Sequence, residues 1–274
     1  MFMSCLGCFF ISCSALLAVP PGTPLYHFDA GGSGVVSNGG AVSGWADETG
    51  QLTAGTNGGG ASLSSFDFPA GTFPTVDLDG GHHGNGAGFS YGTQAATQFD
   101  GNDGFSIFSV IVPRDNRSAQ LVGNFNNGTG FVFGISDGNA NSIKFWTSAG
   151  SSSLESGVAD YTPGEPISVA AIWDGNGNGT GDKYTFVDGI QIAADTGGPG
   201  APSYNGNNDF RIGSIGGLVQ DWNGQIAEVL VYQDANMGEA VQSYFNEKYF
   251  VPEPGSFTLL VMAAIGLIGL RRKM

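Results

Sequence analysis

The run from Asp174 to Asp182, DGNGNGTGD, alternates oxygen-bearing side chains with glycine. Its first half matches the D-x-N-x-N-G start of a calcium loop, in which carboxylate and amide oxygens converge on one ion. Asp174, Asn176, Asn178 and Asp182 are therefore candidate calcium ligands, although Thr185 stands where such a loop carries its bidentate glutamate. Asn, Asp and Gly are also the residues that turns select for backbone reasons. A hairpin loop without an ion is the favoured alternative.

Two adjacent carboxylates, Asp47 and Glu48, lie beside Trp45. A glycosidase needs two carboxyl groups about 5–10 Å apart on either side of a sugar. Neighbouring residues on a strand or turn point in different directions, so this pair is a poor catalytic couple. A turn in which Asp47 accepts backbone hydrogen bonds is the favoured interpretation.

Histidines offer little further chemistry. His82 and His83 lie in a glycine-rich stretch, and the other histidine, His27, is far away in sequence, so a solvated loop is favoured over a metal site. The sequence contains no Gly-x-Ser-x-Gly elbow, phosphate-binding loop or zinc spacing. We predict no catalytic residues and no enzyme activity.

Tryptophans are candidates for stacking on sugar rings. Of Trp45, Trp146, Trp173 and Trp222, the sequence around Trp173 and Trp222 predicts core positions. Trp146, in KFWTS, is the least committed to a core, although large aromatic side chains more often fill the interior of a sandwich.

Composition limits the partners. The chain has 274 residues, 47 of them glycine, with only 9 Lys and Arg and a formal net charge of −15. Nucleic acids and anionic membrane surfaces require basic patches, so neither is an expected partner. Divalent cations and neutral polysaccharide remain compatible with this charge. Cys5, Cys8 and Cys13 all precede the body of the chain, which therefore has no disulfide framework.

The elements that would hold these residues are short strands separated by Gly, Asn, Asp and Ser. β-Branched and aromatic residues concentrate in runs of strand length. The predicted strands are Phe105–Val112, Gly130–Ile135, Ile167–Trp173, Tyr184–Val187, Gly189–Ala193 and Gln225–Tyr232. Asp188-Gly189 is a strong hairpin signal. The stretches Ala30–Gly40 and Gly55–Gly60 are predicted loops, and the pattern as a whole predicts an all-β sandwich or barrel.

The predicted central strand is followed by one amphipathic helix. Both faces of Gln225–Tyr232 are largely apolar. The alternation predicts one face made of Ile226, Glu228, Leu230 and Tyr232 and the other made of Ala227, Val229 and Val231. The helix is predicted to begin at Asn236, with Glu239 completing a capping-box-like start, and to run to about Tyr249 on the outside of the sandwich.

Both ends of the chain have the character of export signals. Residues 1–18 are apolar and predict a secretory signal peptide, although no basic residue precedes the apolar core. Near the other end, Phe257–Leu270 is an uncharged apolar run closed by Arg271, Arg272 and Lys273. This order predicts a short membrane helix with its basic end in the cytoplasm.

The order Pro252-Glu253-Pro254, apolar helix and basic terminus resembles the PEP-CTERM sorting signal of Gram-negative bacteria. The resemblance covers residues 251–274. It implies export, transient retention in the inner membrane, and processing near Pro252–Pro254 by an exosortase-type enzyme. The mature protein would then reach the cell surface or extracellular matrix.

The body, residues 23–250, resembles LamG-like, or concanavalin A-like, jelly-roll domains. The resemblance is carried, in order, by Phe28–Ala30, Val42–Asp47 with Thr49-Gly50, Phe105–Pro113, Leu121–Asn124, Val169–Asp174, Phe186–Gly189, Phe210–Gly213 and Trp222–Tyr232. It implies two antiparallel sheets of six or seven strands each, and it is compatible with calcium elsewhere in the domain. It implies no activity, since this fold serves adhesins, binding modules and hydrolases alike. The Glu-x-Asp-x-x-Glu strand motif of the hydrolases is missing.

Three hypotheses follow. The first is an exported, non-catalytic protein of the cell surface or extracellular matrix. The second is a carbohydrate-binding module, with or without calcium. The third and least favoured is a divergent glycan hydrolase or lyase, which would need a pair of carboxylates in a cleft.

Overall fold

The computed structural model describes residues 18–53, 55–57, 59–79, 88–93, 99, 104–136, 141–148, 153–175, 180–198, 201–214 and 220–252. The signal peptide (except Ala18), Glu253, Pro254, the membrane helix 257–270 and the basic terminus lie outside these ranges and remain predictions. Along the described ranges, no helix is both long and apolar enough to cross a membrane.

Strands dominate the described residues, as the short apolar runs predict. In chain order they are β1 (Tyr26–Asp29), β2 (Val35–Asn38), β3 (Ala41–Trp45), β4 (Gly55–Asn57), β5 (Ala61–Phe68), β6 (Gly71–Asp79), β7 (Phe89–Ser90), β8 (Phe105–Pro113), β9 (Ala119–Gly123), β10 (Phe131–Ile135), β11 (Ile143–Thr147), β12 (Ser153–Glu155), β13 (Ile167–Gly175), β14 (Gly181–Val187), β15 (Ile190–Asp195), β16 (Arg211–Ile212) and β17 (Asn223–Tyr232).

The strands form two antiparallel layers. Sheet I has the order β5–β6–β17–β8–β13–β14–β15, and β1 pairs with β17 beyond the end of β6. Sheet II has the order β2–β3–β4–β7–β16–β9–β10–β11–β12. Within the described ranges, a single pairing of Ala41 in β3 with Ser62 in β5 joins the two sheets at one side. The predicted two-sheet jelly-roll sandwich is confirmed.

Successive side chains along the strands of sheet I point to opposite faces, and both faces are apolar. In β13, Val169 and Trp173 belong to the core between the sheets, whereas Ala170 and Ile172 belong to a second layer on the outer face of sheet I. Such a strand is apolar on both faces because both faces are covered. Each fully buried large side chain is worth roughly 1.5–3 kcal/mol.

The Asp188-Gly189 hairpin lies between β14 and β15, as predicted. Asp188 and Gly189 have φ values of 49° and 76°, and Val187 faces Ile190 across the turn. Positive φ at both central residues is the type I′ geometry, which matches the twist of the flanking strands.

A β-bulge in β17 changes which side chains face the core. The register against β8 shifts between Ile226 and Glu228. Ile226 and Val229 pack between the sheets, while Ala227 packs in the outer layer. The expected alternation holds beyond the bulge, where Val229 and Val231 share the inner face and Leu230 and Tyr232 the outer one. It is wrong at Ile226 and Ala227, because the extra residue at the bulge inverts the alternation before it.

One helical segment covers the outer face of sheet I. It comprises a 3₁₀ turn (Ala235–Met237), the helix α1 (Gly238–Phe245) and a π-helical turn (Asn246–Phe250). Its start is capped by Asp234, whose side chain accepts a hydrogen bond from Asn236 N at 2.8 Å. The predicted start at Asn236 is thus two residues late, because Asp234 supplies the capping oxygen.

Two predicted loops contain strands. β2 lies within Ala30–Gly40, and β4 begins Gly55–Gly60. Exposed residues dominate β2, so it lacks the buried alternation by which a strand is recognised in sequence.

Candidate functional site

The buried carboxylate Glu228 is the centre of the densest polar cluster under the helix. Its Oε1 lies 2.7 Å from His27 Nε2 and accepts a hydrogen bond from Tyr244 OH at 2.8 Å. Its Oε2 accepts from Tyr249 OH at 2.8 Å and from Lys248 Nζ at 2.9 Å. Glu228 itself is completely buried, so these four partners replace its water.

Three elements bring the cluster together. The bulge in β17 directs Glu228 outward, β1 supplies His27 and Asp29, and the end of the helix supplies the tyrosines and lysine. Lys248 Nζ also donates to Asp29 Oδ2 at 2.7 Å and to Tyr244 OH at 3.1 Å. We call this set the C-terminal latch: His27, Asp29, Glu228, Tyr244, Lys248 and Tyr249.

Opposite charges keep both central groups ionised. Burial opposes ionisation of Glu228, but the hydrogen bond from His27 and the charge of Lys248 hold the pKa of Glu228 below its ordinary value. Burial likewise opposes the charge on Lys248, but Glu228 and Asp29 raise the pKa of Lys248 above its ordinary value. Burial, followed by the charge of Glu228, raises the pKa of Tyr244 and of Tyr249, which therefore remain hydrogen-bond donors.

The latch could be mistaken for a metal centre. His27, Asp29 and Glu228 each offer a ligand atom, and these atoms lie within 4.8 Å of one another. The ammonium of Lys248, however, already lies against both carboxylates and supplies the positive charge that an ion would bring. The geometry thus fixes the helix to the sheet rather than presenting an open coordination site.

Sequence reasoning missed the latch. The available signal was Glu228, one acidic residue in a strand predicted to be apolar on both faces, since a buried carboxylate needs partners. Its partners could not be identified, because His27 and Lys248 lie far from it along the chain.

Asp47 and Glu48 organise a turn, as expected. Asp47 is buried, and its Oδ1 accepts from His27 N at 2.7 Å and from Thr49 N at 3.1 Å. Glu48 Oε1 accepts from Gly34 N at 2.7 Å. The carboxylates therefore serve different backbone segments.

The calcium prediction is left open. Asp174 and Asp182 face each other across β13 and β14, so the run between them is the connection of a hairpin. Asn176 and Asn178 lie outside the described residues. Asp182 Oδ2 accepts a hydrogen bond from Tyr184 OH at 3.2 Å. His82 and His83 also lie outside the described residues.

Three tryptophans belong to the core. Trp173 and Trp222 are fully buried, as predicted. Trp45 is also fully buried against Phe28 and Phe89, so it is not available to stack on a sugar. It lies at the end of β3, where its neighbours in sequence are polar or small, and these concealed its burial.

Trp146 lies at the surface of sheet II, where its ring is half-buried. Phe125, also half-buried, packs edge-on against it, with ring centroids 5.3 Å apart at 70°. Asn126, which follows Phe125, donates from Nδ2 to Asn207 O at 2.6 Å, and Asn205 Nδ2 donates to Asn126 O at 3.3 Å. We call Phe125, Asn126, Trp146 and Asn205 the aromatic–amide patch.

A groove of about 730 Å³ runs between α1 and sheet I. Phe108, Ile172 and Phe186 form its apolar floor, and Gln242 lies on its helical side. Glu239 is the one carboxylate among the described residues that line it. No carboxylate pair of the kind a glycosidase uses lies among the described residues that line the groove.

Taken together, these layers define an antiparallel β-sandwich of the lectin type with a helix latched to its outer face. The chain belongs to the concanavalin A-like lectin/glucanases superfamily, whose family model matches residues 85–242. A second model, the PEP-CTERM protein-sorting motif, matches residues 250–273 and so begins at the last residue of the latched helix. Both resemblances drawn from the sequence are confirmed.

Solved structures share this fold at low identity. Domain 4 of the arabinanase AbnA from Geobacillus stearothermophilus, in complex with arabinotriose, has a TM-score of 0.50 at 17% identity, covering 72% of this chain and 91% of that one. The binding domain of Paraclostridial Mosquitocidal Protein 1 has a TM-score of 0.53 at 15% identity, covering 81% and 52%. Trypanosoma rangeli sialidase has a TM-score of 0.51 at 14% identity, covering 81% of this chain but only 32% of the sialidase. No curated protein matches the chain in sequence.

Proposed function

We propose that this chain is an exported, non-catalytic protein of the cell surface or extracellular matrix, delivered through its PEP-CTERM signal and processed by an exosortase-type enzyme. The observation that carries the proposal is the match of the sorting motif to residues 250–273, directly after the latched helix. The sandwich is then the cargo, and the tail is its temporary membrane anchor.

A non-catalytic role is supported by the contacts of three carboxylates at the sites described above. Glu228 is saturated by hydrogen bonds, Asp47 caps a turn, and Glu239 faces the groove alone. Glycoside hydrolysis in most families needs two carboxyl groups facing one sugar. Incubation of the purified chain with matrix polysaccharide should release no reducing ends or unsaturated products, and release of either would refute this part of the proposal.

Sorting is tested by changing the motif and following the protein. Pro252→Ala combined with Pro254→Ala should leave the tail uncleaved and the protein in the inner-membrane fraction. Pro163→Ala, in an exposed turn of the body away from the C-terminal segment, is the matched control and should be exported like the wild type. If the motif variant reached the exterior as efficiently as the control, the sorting proposal would fail.

We propose as a second candidate that the sandwich binds neutral polysaccharide at the aromatic–amide patch. Trp146 and Phe125 offer apolar ring surface. Asn126 follows Phe125 and is bonded to Asn205, and each of the two amides donates one hydrogen bond to a backbone carbonyl and keeps further polar groups for a ligand. A site for neutral glycan combines aromatic rings, which stack on the faces of sugar rings, with amide groups, which form hydrogen bonds to sugar hydroxyls. The net charge of −15 disfavours anionic glycans. The arabinotriose complex of AbnA domain 4 adds support from the fold, although the likeness shows no shared site.

A glycan array probed with the wild-type chain and Trp146→Ala tests this candidate. Loss of the ring should weaken binding at least tenfold, because truncating a central aromatic contact costs about 2 kcal/mol or more. Ile190→Ala, at a side chain 69% exposed on β15, is the control and should bind normally. Repeating the array with a chelator shows whether binding depends on calcium, since calcium-assisted binding would be lost. Absence of binding to every glycan would refute the candidate.

A further inference from the structure

Aromatic and aliphatic side chains surround the end of the helical segment at Phe250 and Val251. Phe66 and Phe73 are cross-strand neighbours in the β5–β6 hairpin, and both are half-buried. Phe250 is half-buried, Val251 is 52% exposed, and Pro69 at the hairpin turn is exposed. We call these five residues the exit patch.

The exit patch is held together as one surface. Phe68, buried beneath it, has its ring centroid 5.2 Å from that of Phe66, 5.9 Å from that of Phe73 and 6.3 Å from that of Phe250. The hairpin turn is tied to the helix by the hydrogen bond from Ala70 N to Tyr249 O at 3.0 Å. The latch then fixes Tyr249 to β17 through Glu228.

The sequence places this surface close to the membrane segment. The apolar run begins at Phe257, and the segment from Val251 to Phe257 can span at most about 20 Å when fully extended. The polar layer on each side of a bilayer core is only on the order of 5–8 Å thick. While the tail is inserted, the exit patch is therefore confined to the neighbourhood of the bilayer surface.

We propose that the exit patch rests on the lipid surface while the C-terminal segment is in the membrane. The proposal rests on the membrane retention in the proposed function. Phenylalanine, proline and valine would enter the interfacial region through apolar contact. Charge would not contribute, because the exposed neighbours Asp67 and Glu247 are acidic. Zwitterionic lipid is therefore the expected partner, and the tip of the β5–β6 hairpin is the part of the sandwich that faces the membrane.

Contact through the exit patch is weak enough for the domain to leave the membrane after processing. A few partly exposed side chains add little to the binding supplied by an inserted helix. The exit patch would orient the domain before processing and let it leave the surface once the tail is cut.

A site-directed fluorophore tests the proposal in the full chain. With Cys5, Cys8 and Cys13 replaced by serine, a label is placed at Ser65→Cys, exposed beside Phe66, or at Ser153→Cys, exposed on the far edge of sheet II. The chain is reconstituted into phosphatidylcholine vesicles that carry a lipid-attached quencher. We expect the label at position 65 to be quenched at least threefold more than the label at position 153. Phe66→Ser with Phe73→Ser should remove the difference while the chain still floats with the vesicles.

Each outcome separates the exit patch from the tail. Equal quenching at the two positions in chains that float would overturn the proposal and leave membrane retention intact. Chains that do not float would overturn membrane retention and, with it, the proposal. Equal quenching combined with slower processing of the Phe66 and Phe73 variant would assign the surface to the processing enzyme instead, which also overturns lipid contact. Comparing the two labels requires no variant of the patch, so the test survives misfolding of the double variant.

Discussion

At the scale of single residues, Glu228 fixes the C-terminal helix to the sandwich. Its carboxylate lies where β17, β1 and the helix meet, and it gathers donors from all three. The sequence correctly predicted that β17 is a central strand, since its residues are largely apolar on both faces. It could not predict the partners of Glu228, because they depend on tertiary packing and on a bulge that the alternation of residues does not reveal.

Glu228→Ala is expected to destabilise the domain by about 3–5 kcal/mol, since it leaves Lys248 buried with only Asp29 as its counter-charge. Urea unfolding followed by circular dichroism measures the change. Glu247→Ala, at an exposed position on the same helical turn, should change stability by less than about 0.5 kcal/mol. Equal effects of the two substitutions would contradict the latch.

The latch also predicts how stability depends on pH. The pKa of Glu228 is held below 4.5 in the fold, so its contribution is present above 4.5 and is lost as the pH falls through the lowered folded value. The pKa of Lys248 is raised above 10.5, so its contribution is present below 10.5 and is lost as the pH rises through the raised folded value. The stability difference between the wild type and Glu228→Gln should therefore shrink as the pH falls below 4.5. A difference that grew in acid would contradict the assignment.

At the scale of elements, the sequence predicts those whose signals lie in neighbouring residues, and it does not predict those that depend on contacts between distant segments. The Asp188-Gly189 turn was predictable because two adjacent residues with positive φ require these residue types. The helix was predictable from its spacing, but its cap was placed at Asn236 because Asp234 precedes the apolar pattern. The strands β2 and β4 lie in stretches that predict loops, because glycine and polar residues dominate Ala30–Gly40 and Gly55–Gly60.

Gly189→Ala tests the contact between this turn and α1. The substitution should destabilise the domain by more than about 1 kcal/mol, because φ is 76° and a Cβ would lie 2.7 Å from Cγ of Gln242. Gly157→Ala is the matched control, since its φ is 73° but nothing lies within 4 Å of the added carbon. The difference between the two unfolding midpoints isolates the helix contact. No difference would show that Gln242 gives way without cost.

At the scale of the whole molecule, the sequence predicted the fold and the sorting signal more fully than the site. Strand-length apolar runs are local, and the order of parts in the tail is linear, so both can be read without tertiary contacts. The sequence predicts core positions for Trp173 and Trp222 and leaves Trp146 as the best candidate for the surface. Only packing shows that Trp45 is buried and that Trp146 alone among the described tryptophans reaches the surface. The latch, the aromatic–amide patch and the exit patch each join distant segments, and for that reason they were missed.

Processing is the central claim, and the intact mass of the protein from its own host tests it most directly. Measured in the extracellular fraction, the mass should correspond to a chain that begins near Val19 and ends between Phe250 and Pro254, with the latched helix retained. A chain with an intact C-terminus, found in the inner-membrane fraction and never outside, would show that the tail is a permanent anchor and would contradict the account.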